Sequence, residues 1–440
     1  MPFEAVAIEP RQGTRPRRRI AVIGAGISGM GAAHSLAERH DVVLFESGSR
    51  LGGHARTVMA GRNGDQPVDT GFIVFNYANY PNLAALFAEL DVPVVKSNMS
   101  FGASIDGGRI EYALTNLNAV FAQRRNMLNP RFIAMLRDIF RFNKHATRLA
   151  DEDQNRTIGE FLSVLGTGRY FKDYYLSPLS GAIWSTPTEK IMDFPAYAMV
   201  DFFRNHALLG YSGQHQWYTV QGGSISYVDR LETAMRARGV DIRLNAPVQA
   251  VRRLLPGVDV KSPGGDWERF DEVVFATHSD DTLALLSDAD AAERANLGAI
   301  RYQPNDITLH ADDRMMPKRR STWASWVYTE DRDSKSDRID LTYWMNSLQP
   351  IPMDDPHFVT LNTKRTIREE LIYDQVTLRH PVYDLPALHA QKRIAALNGN
   401  RNTWFCGAWM RNGFHEDGLA SALEVARMIE RTAALPIAAE

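Results

Sequence analysis

The chain has 440 residues, 44% of them apolar and 23% charged, which is ordinary for a globular protein and more than one hydrophobic core usually serves. A net charge of -2 excludes a strong overall attraction for nucleic acid or for an anionic membrane, so any such contact has to come from a local patch. The single cysteine, Cys406, cannot make an internal disulfide, which points to a reducing compartment, and a cytoplasmic location, free or membrane-associated, is expected; no apolar run reaches the length of about 18 residues that a membrane-spanning helix needs, so none is expected.

Residues 1–16 read as a flexible arm. Arg17-Arg18-Arg19 before Ile20-Ala21-Val22-Ile23 imitates a signal peptide, but Gly24, Gly26 and Gly29 cut the apolar run at once. Strand, glycine turn, helix, strand is the better reading. Residues 20–23 predict a buried strand. Gly24-Ala25-Gly26-Ile27-Ser28-Gly29 predicts a turn into a helix continued by Ala32, Ala33, Leu36 and Ala37, and residues 41–45 predict a second buried strand ending at Glu46. In such a unit Gly24 permits the tight turn, Gly26 lets a pyrophosphate reach the backbone, and Gly29 lets the helix close on the sheet. The free N–H groups of the helix N-terminus then face the phosphates. Glu46 stands 22 positions after Gly24, the right reach for a ribose hydroxyl.

The next stretch is mainly helical in pattern. Residues 121–148 carry seven basic side chains (Arg124, Arg125, Arg131, Arg137, Arg141, Lys144, Arg148) against one acid, Asp138. Asn129-Pro130 predicts the cap and first residue of a helix. Phe132, Met135, Leu136, Ile139 and Phe140 form an apolar stripe, and Arg137, Arg141, Lys144 and Arg148 a basic one. Two readings stand: a core-packed helix with a solvated basic side, or peripheral contact with an anionic lipid surface through residues 130–148. Trp184 and His206 are candidate pocket residues, with packing as the blander alternative for each.

Further along, Gln221-Gly222-Gly223-Ser224 opens a helix, and 241–248 read as strand and turn. Residues 271–277 predict another buried strand, and Asp306-Ile307-Thr308-Leu309-His310 a β segment within a mixed region. Thr403-Trp404-Phe405-Cys406-Gly407-Ala408 predicts strand and turn, and 413–422 the start of a last helix.

Several of these segments resemble the flavin amine oxidase-like superfamily. Arg50-Leu51-Gly52-Gly53-His54-Ala55-Arg56-Thr57 is similar to its second glycine motif, in which glycines pass under the flavin and an arginine holds the diphosphate; here His54 follows the glycine pair and Arg56 comes two residues later. Val68-Asp69-Thr70-Gly71-Phe72 resembles the loop beside the isoalloxazine, Val248 the valine on the adenine side, and Gly407 with Asp417-Gly418-Leu419 the closing FAD motif. Within the superfamily, Leu309-His310-Ala311-Asp312, Trp323-Ala324-Ser325-Trp326, Leu341-Thr342-Tyr343-Trp344-Met345-Asn346 and Gly413-Phe414-His415-Glu416-Asp417-Gly418-Leu419 look like bacterial predicted NAD/FAD-binding oxidoreductases. Those are related to the oxidase-like N-terminal region of plant cyclopropane fatty acid synthases.

The resemblance implies an α/β fold: a Rossmann-type FAD-binding domain of the amine oxidase and glutathione reductase kind, with an interleaved α+β substrate domain. The expected division is 17–80, 220–280 and 395–435 for the FAD domain, and 81–219 (helical) with 281–394 (mixed β) for the substrate domain. FAD is expected to be non-covalent, because Cys406 falls on a strand. No metal and no nucleic acid are expected. The FAD contacts implied are Gly24, Gly26, Gly29, Glu46, Gly53, His54, Arg56, Thr70, Gly71, Val248, Gly407, Asp417, Gly418 and Leu419. Residues 301–306 lack the lysine that amine oxidases place near the flavin, and His415 falls at a position of their aromatic cage. Both departures favour a fatty acyl substrate over an amine, dehydrogenated or isomerised with hydride transfer to the flavin. An amine or amino-acid oxidase, and an accessory protein of a lipid methyltransferase, stand as alternatives. His415, Glu416 and His206 are the candidate catalytic residues, with a structural histidine and a capping glutamate as the blander readings of the first two.

Overall fold

The computed structural model describes residues 17–184, 190–206, 208–210, 214–254, 256–331 and 338–434, so the expected arm at 1–16 lies outside the described residues. The glycine-rich unit forms as its pattern predicts: strand Arg19–Ile23, opening helix Ile27–Leu36, strand Asp41–Phe45. Nine of the ten residues of the opening helix are buried, which is why its face is built from Gly, Ala and Ser rather than from an apolar stripe.

These strands belong to a five-stranded parallel sheet ordered Asp241–Arg243, Asp41–Phe45, Arg19–Ile23, Glu272–Phe275, Thr403–Phe405. Ile20, Val22, Leu44 and Val274 are sealed between its layers, as expected of a parallel sheet covered on both faces. The closing helix His415–Ala434 lies against the opening helix at its small residues. A Cβ on Gly31 would meet Leu419 Cδ1 at 2.5 Å, and one on Gly418 would meet Ser28 Oγ at 2.8 Å.

The chain also forms a seven-stranded sheet. Its order is Ile372–Val382, Arg301–His310, Phe358–Leu361, Leu341–Trp344, Trp326–Glu330, Phe101–Ile105, Ile110–Ala113. All neighbours are antiparallel except Trp326–Glu330 with Phe101–Ile105. After residue 80 the chain forms the helix Pro81–Glu89, then the strands Val94–Ser97, Phe101–Ile105 and Ile110–Ala113, the last two joining this sheet, before the helices of the expected helical segment resume. All five residues of Phe101–Ile105 are buried, so the strand shows none of the alternation that would have marked it.

The basic helix spans Pro130–Glu152, with Asn129 Oδ1 accepting from the N–H groups of Arg131 and Phe132. Its apolar stripe is mostly core: Phe132, Met135 and Ile139 are buried, whereas Phe140 is exposed. Most of the stripe is therefore spent on the core. Trp184 is buried among Phe194 and Phe202, with ring centroids 5.6 and 5.1 Å away, and is a core residue. No helix among the described residues is long and apolar enough to cross a membrane.

Candidate active site

Gly29 has no room for a side chain, since a Cβ would come within 1.7 Å of Gly24 O. Gly26 has the opposite surroundings: a Cβ there would meet nothing within 4 Å. It is the N-cap of the opening helix, with φ of -73°, and no side chain caps the free N–H groups behind it. Gly53, at φ +56°, crosses so close that a Cβ would lie 2.9 Å from Gly26 Cα. An open face, unclaimed amides and two glycine backbones in contact suit a pyrophosphate. Glu46 waits at the end of its strand, its carboxylate accepting from Ala25 N–H and Gly48 N–H, each at 2.8 Å. The loop bearing Val248 packs next to it, with Ala246 N–H donating to Glu46 O. These residues fit FAD: the turn and helix N-terminus would hold the diphosphate, and Glu46 has lone pairs left for a ribose hydroxyl.

Thr70 and Gly71 run beside His54. Phe72 N–H donates to His54 O at 2.9 Å, and a Cβ on Gly71 would strike that oxygen at 1.9 Å. Arg56 is placed differently from the expectation of a diphosphate arginine. Its guanidinium is taken by Asp374 at 2.6 and 3.0 Å and by Thr70 Oγ1 at 3.1 Å. Arg50 is the cation folded into the glycine-pair loop, donating to the carbonyls of Leu51, Gly53 and Ala55.

His415 stacks on Phe72, with centroids 4.0 Å apart, and its Nε2 shares a 2.5 Å hydrogen bond with Tyr227 OH. Burial pushes the imidazole down to about 3, so it is neutral at physiological pH. Glu416 does not form a polar pair with it. Its carboxylate accepts from Asn82 N–H, Asn82 Nδ2 and Leu83 N–H, capping the helix Pro81–Glu89. Asp417 folds back on its own turn, accepting from Phe414 N–H at 3.0 Å, and burial raises it to about 6. Gly407 N–H donates to Ser421 Oγ, which ties the turn after the last strand to the closing helix. Cys406 is fully buried, its thiol pushed up to about 12.

His206 joins this site through rings. It stacks on Phe202 at 3.8 Å, Phe202 stacks on Phe414 at 4.9 Å, and Trp217 lies 6.3 Å from the histidine. Burial holds His206 down at about 4. Trp217 also borders a cleft of about 570 Å³ between Lys96-Ser97-Asn98 and the segment 346–350. The series of rings thus leads from an open cleft to the residue before His415.

Sequence reasoning missed a group of histidines here. His54 lies 5.8 Å from His278 and 5.7 Å from His380, centroid to centroid, and His278 stacks on Tyr302 at 4.3 Å. Burial lowers all of them, His278 and His380 to about 3. His278 follows the strand Glu272–Phe275 and His380 lies on Ile372–Val382, so no sequence motif joins them. The one signal was the 301–306 stretch, which contains both Tyr302 and Asn305.

Comparison with known proteins agrees with this geometry. The family model "flavin containing amine oxidoreductase" matches residues 27–304. No curated protein sequence matches the chain. Among solved structures, a CLA-producing fatty acid isomerase from P. acnes superposes with a TM-score of 0.66 at 15% identity, covering 94% of this chain and 98% of that one. Cyclohexylamine oxidase from Brevibacterium oxydans IH-35A gives 0.66 at 16%, covering 94% and 100%. Wild-type putrescine oxidase bound to putrescine gives 0.66 at 14%, covering 94% and 99%. At these identities the likeness establishes the fold. With the family model covering well over half of the chain, the protein belongs to the flavin containing amine oxidoreductases and is an FAD-dependent oxidoreductase.

Proposed function

We propose that this enzyme acts on a fatty acyl chain, removing hydrogen from it or moving its double bond. The observation that carries the reading is the series of rings Trp217, His206, Phe202 and Phe414, which runs from the open cleft to a neutral His415. When bound, FAD supplies the acceptor, or the acceptor and returning donor, of a hydride. The chain's own residues supply the surroundings. Ring faces bind methylenes and exclude water. Uncharged imidazoles do not oppose the positive charge that develops on an allylic carbon as a hydride departs, and the faces of Phe414 and Phe72 favour it. An ammonium substrate finds less support, because the nearby carboxylates are engaged. Glu416 caps a helix, Asp417 holds its own turn, and Asp69 is bonded by Thr57, Ser224 and Gln349. The fatty acid isomerase among the structural neighbours and the resemblance to the oxidase-like region of plant cyclopropane fatty acid synthases support the same substrate class. Anaerobic titration of the purified flavoprotein tests it. Acyl lipids should bleach or perturb the flavin spectrum; bleaching by polyamines or amino acids with none by any acyl lipid would reject it.

An anionic lipid surface is the source of substrate that fits this reading. Leu117 is 77% exposed, Leu128 89% and Met127 52%, and Ile133 is exposed beside them. Met127, Leu128, Pro130, Ile133, Ala134 and Arg137 line a shared groove of about 290 Å³ at the start of the basic helix, with Arg124 and Arg131 close by in the chain. Apolar side chains standing out among arginines suit insertion between anionic headgroups. Vesicles of phosphatidylglycerol should cosediment the protein, and Leu128→Glu should abolish this; equal binding to neutral vesicles, or none to either, would reject it.

A further inference from the structure

We infer that Asp306, Asn362 and Asn305 act as a tautomer lock on His380, holding it uncharged with its proton on Nε2, so that it serves FAD as a neutral hydrogen-bond donor and positioning residue. The chain of bonds begins at a group whose polarity is fixed. The backbone N–H of Asp306 donates to Asn362 Oδ1 at 2.9 Å, so the other end of that amide is an NH2 group. Asn362 Nδ2 then donates to Asn305 Oδ1 at 2.8 Å and also faces Ile339 O at 3.2 Å. This in turn fixes Asn305 Nδ2 as the donor towards His380 Nδ1 at 3.0 Å, with a second contact to Gln303 O. A donor pointed at Nδ1 needs a lone pair there, so the ring carries its proton on Nε2.

The lock follows from strand register. Gln303 pairs with His380 and Asn305 with Leu378 across the two antiparallel strands, which sets Asn305 and His380 diagonally on one face. Asn305 is fully buried, so its amide cannot turn without leaving a polar group unpaired. Protonating Nδ1 would set two N–H donors against each other.

The groups that face this imidazole from its neighbours are His54, from the glycine-pair loop, and His278 with Tyr302 beyond it. Arg379 is engaged by Asp280 and Asp281, and Asp281 lies 3.9 Å from His278 Nδ1. A single added charge at His380 would therefore fall within a patch of imidazoles bordering the FAD loops. With FAD bound, a ring held in this way would offer acceptor atoms of the cofactor an N–H donor free of a fixed positive charge. The inference needs FAD binding and is independent of which substrate the enzyme takes.

Nitrogen-15 NMR of histidine-labelled, FAD-loaded protein tests it, with the His380 signal assigned by its loss in His380→Gln. The expected result is an unprotonated Nδ1 and a protonated Nε2, with no more than about a tenth of the ring charged at pH 5. An Nδ1-protonated tautomer, or titration of the ring between pH 5 and 8, would overturn the proposal. Asn305→Asp replaces the donor with an acceptor and should convert His380 to imidazolium, raising the flavin midpoint potential. An unchanged tautomer and charge in this variant would overturn it equally.

Discussion

Arg56 and Asp374 are joined by two hydrogen bonds of 2.6 and 3.0 Å, and this pair ties the loop behind the glycine motif to an edge strand of the seven-stranded sheet. Both side chains are largely shielded, at 19% and 22% exposure, so losing one partner leaves the other poorly solvated. Arg56→Met should cost about 1–3 kcal/mol in denaturant unfolding of the apoprotein. FAD affinity should fall by less than tenfold. A larger loss of affinity with unchanged apoprotein stability would mean that Arg56 serves the diphosphate instead.

Two glycines three positions apart should behave oppositely. At Gly29 a methyl group collides with Gly24 O, so Gly29→Ala should prevent the native fold or yield insoluble protein. At Gly26 the backbone is ordinary and the space open, so Gly26→Ala should fold with an unchanged circular dichroism spectrum. Its flavin dissociation constant should rise at least about tenfold, as the methyl group occupies the approach of the pyrophosphate. Flavin titration by fluorescence quenching measures both.

Glu416→Gln keeps the shape of the side chain and removes its charge at the N-terminus of the helix Pro81–Glu89, whereas Glu416→Ala leaves two backbone N–H groups uncapped. We expect a loss of about 0.5–2 kcal/mol for the alanine variant and less for glutamine, with no change in the flavin spectrum. A shifted flavin absorbance band with unchanged stability would restore Glu416 to the active site.

The depressed histidines set a pH dependence. His278, His380 and His415 sit at about 3 in the folded chain, against about 6.5 unfolded, so the unfolded state binds more protons between those values. Their contribution to stability is complete above pH 6.5 and is lost as the pH falls towards 3, by up to about 1.4 kcal/mol per unit for each ring. Asp69 and Asp417, both raised to about 6, oppose this between about 4 and 6, because their folded forms hold protons that the unfolded chain has released. With His206, held at about 4, adding to the three rings, these histidines outweigh the two carboxyls and leave a net fall in Tm of the apoprotein from pH 7 to 5, measurable by calorimetry.

The parts of this molecule that could be read in advance are those whose logic is local. The glycine turn, its helix, Glu46 and the closing helix each declare themselves within a few dozen residues, because turn, cap and burial act on neighbours. The strand Phe101–Ile105 escaped notice because it is buried on both faces, and the fate of the apolar stripe on the basic helix depends on what lies against it. The imidazole patch is a product of sheet register and layer packing. His54, His278 and His380 are far apart in the chain and meet only when the glycine-pair loop, the segment after Glu272–Phe275 and the strand Ile372–Val382 come together in the fold.

The order of strands in the parallel sheet has a consequence for biosynthesis. Arg19–Ile23 takes Glu272–Phe275 as one of its two neighbours, and one of the two outer places is filled only by Thr403–Phe405. A polypeptide still emerging from the ribosome at residue 300 has made its phosphate turn but lacks the last strand and the helix that packs over it. The cofactor site can therefore close only after the strand Thr403–Phe405 and the helix His415–Ala434 have been made, and until then the half-made sheet presents an open edge to pairing with other chains.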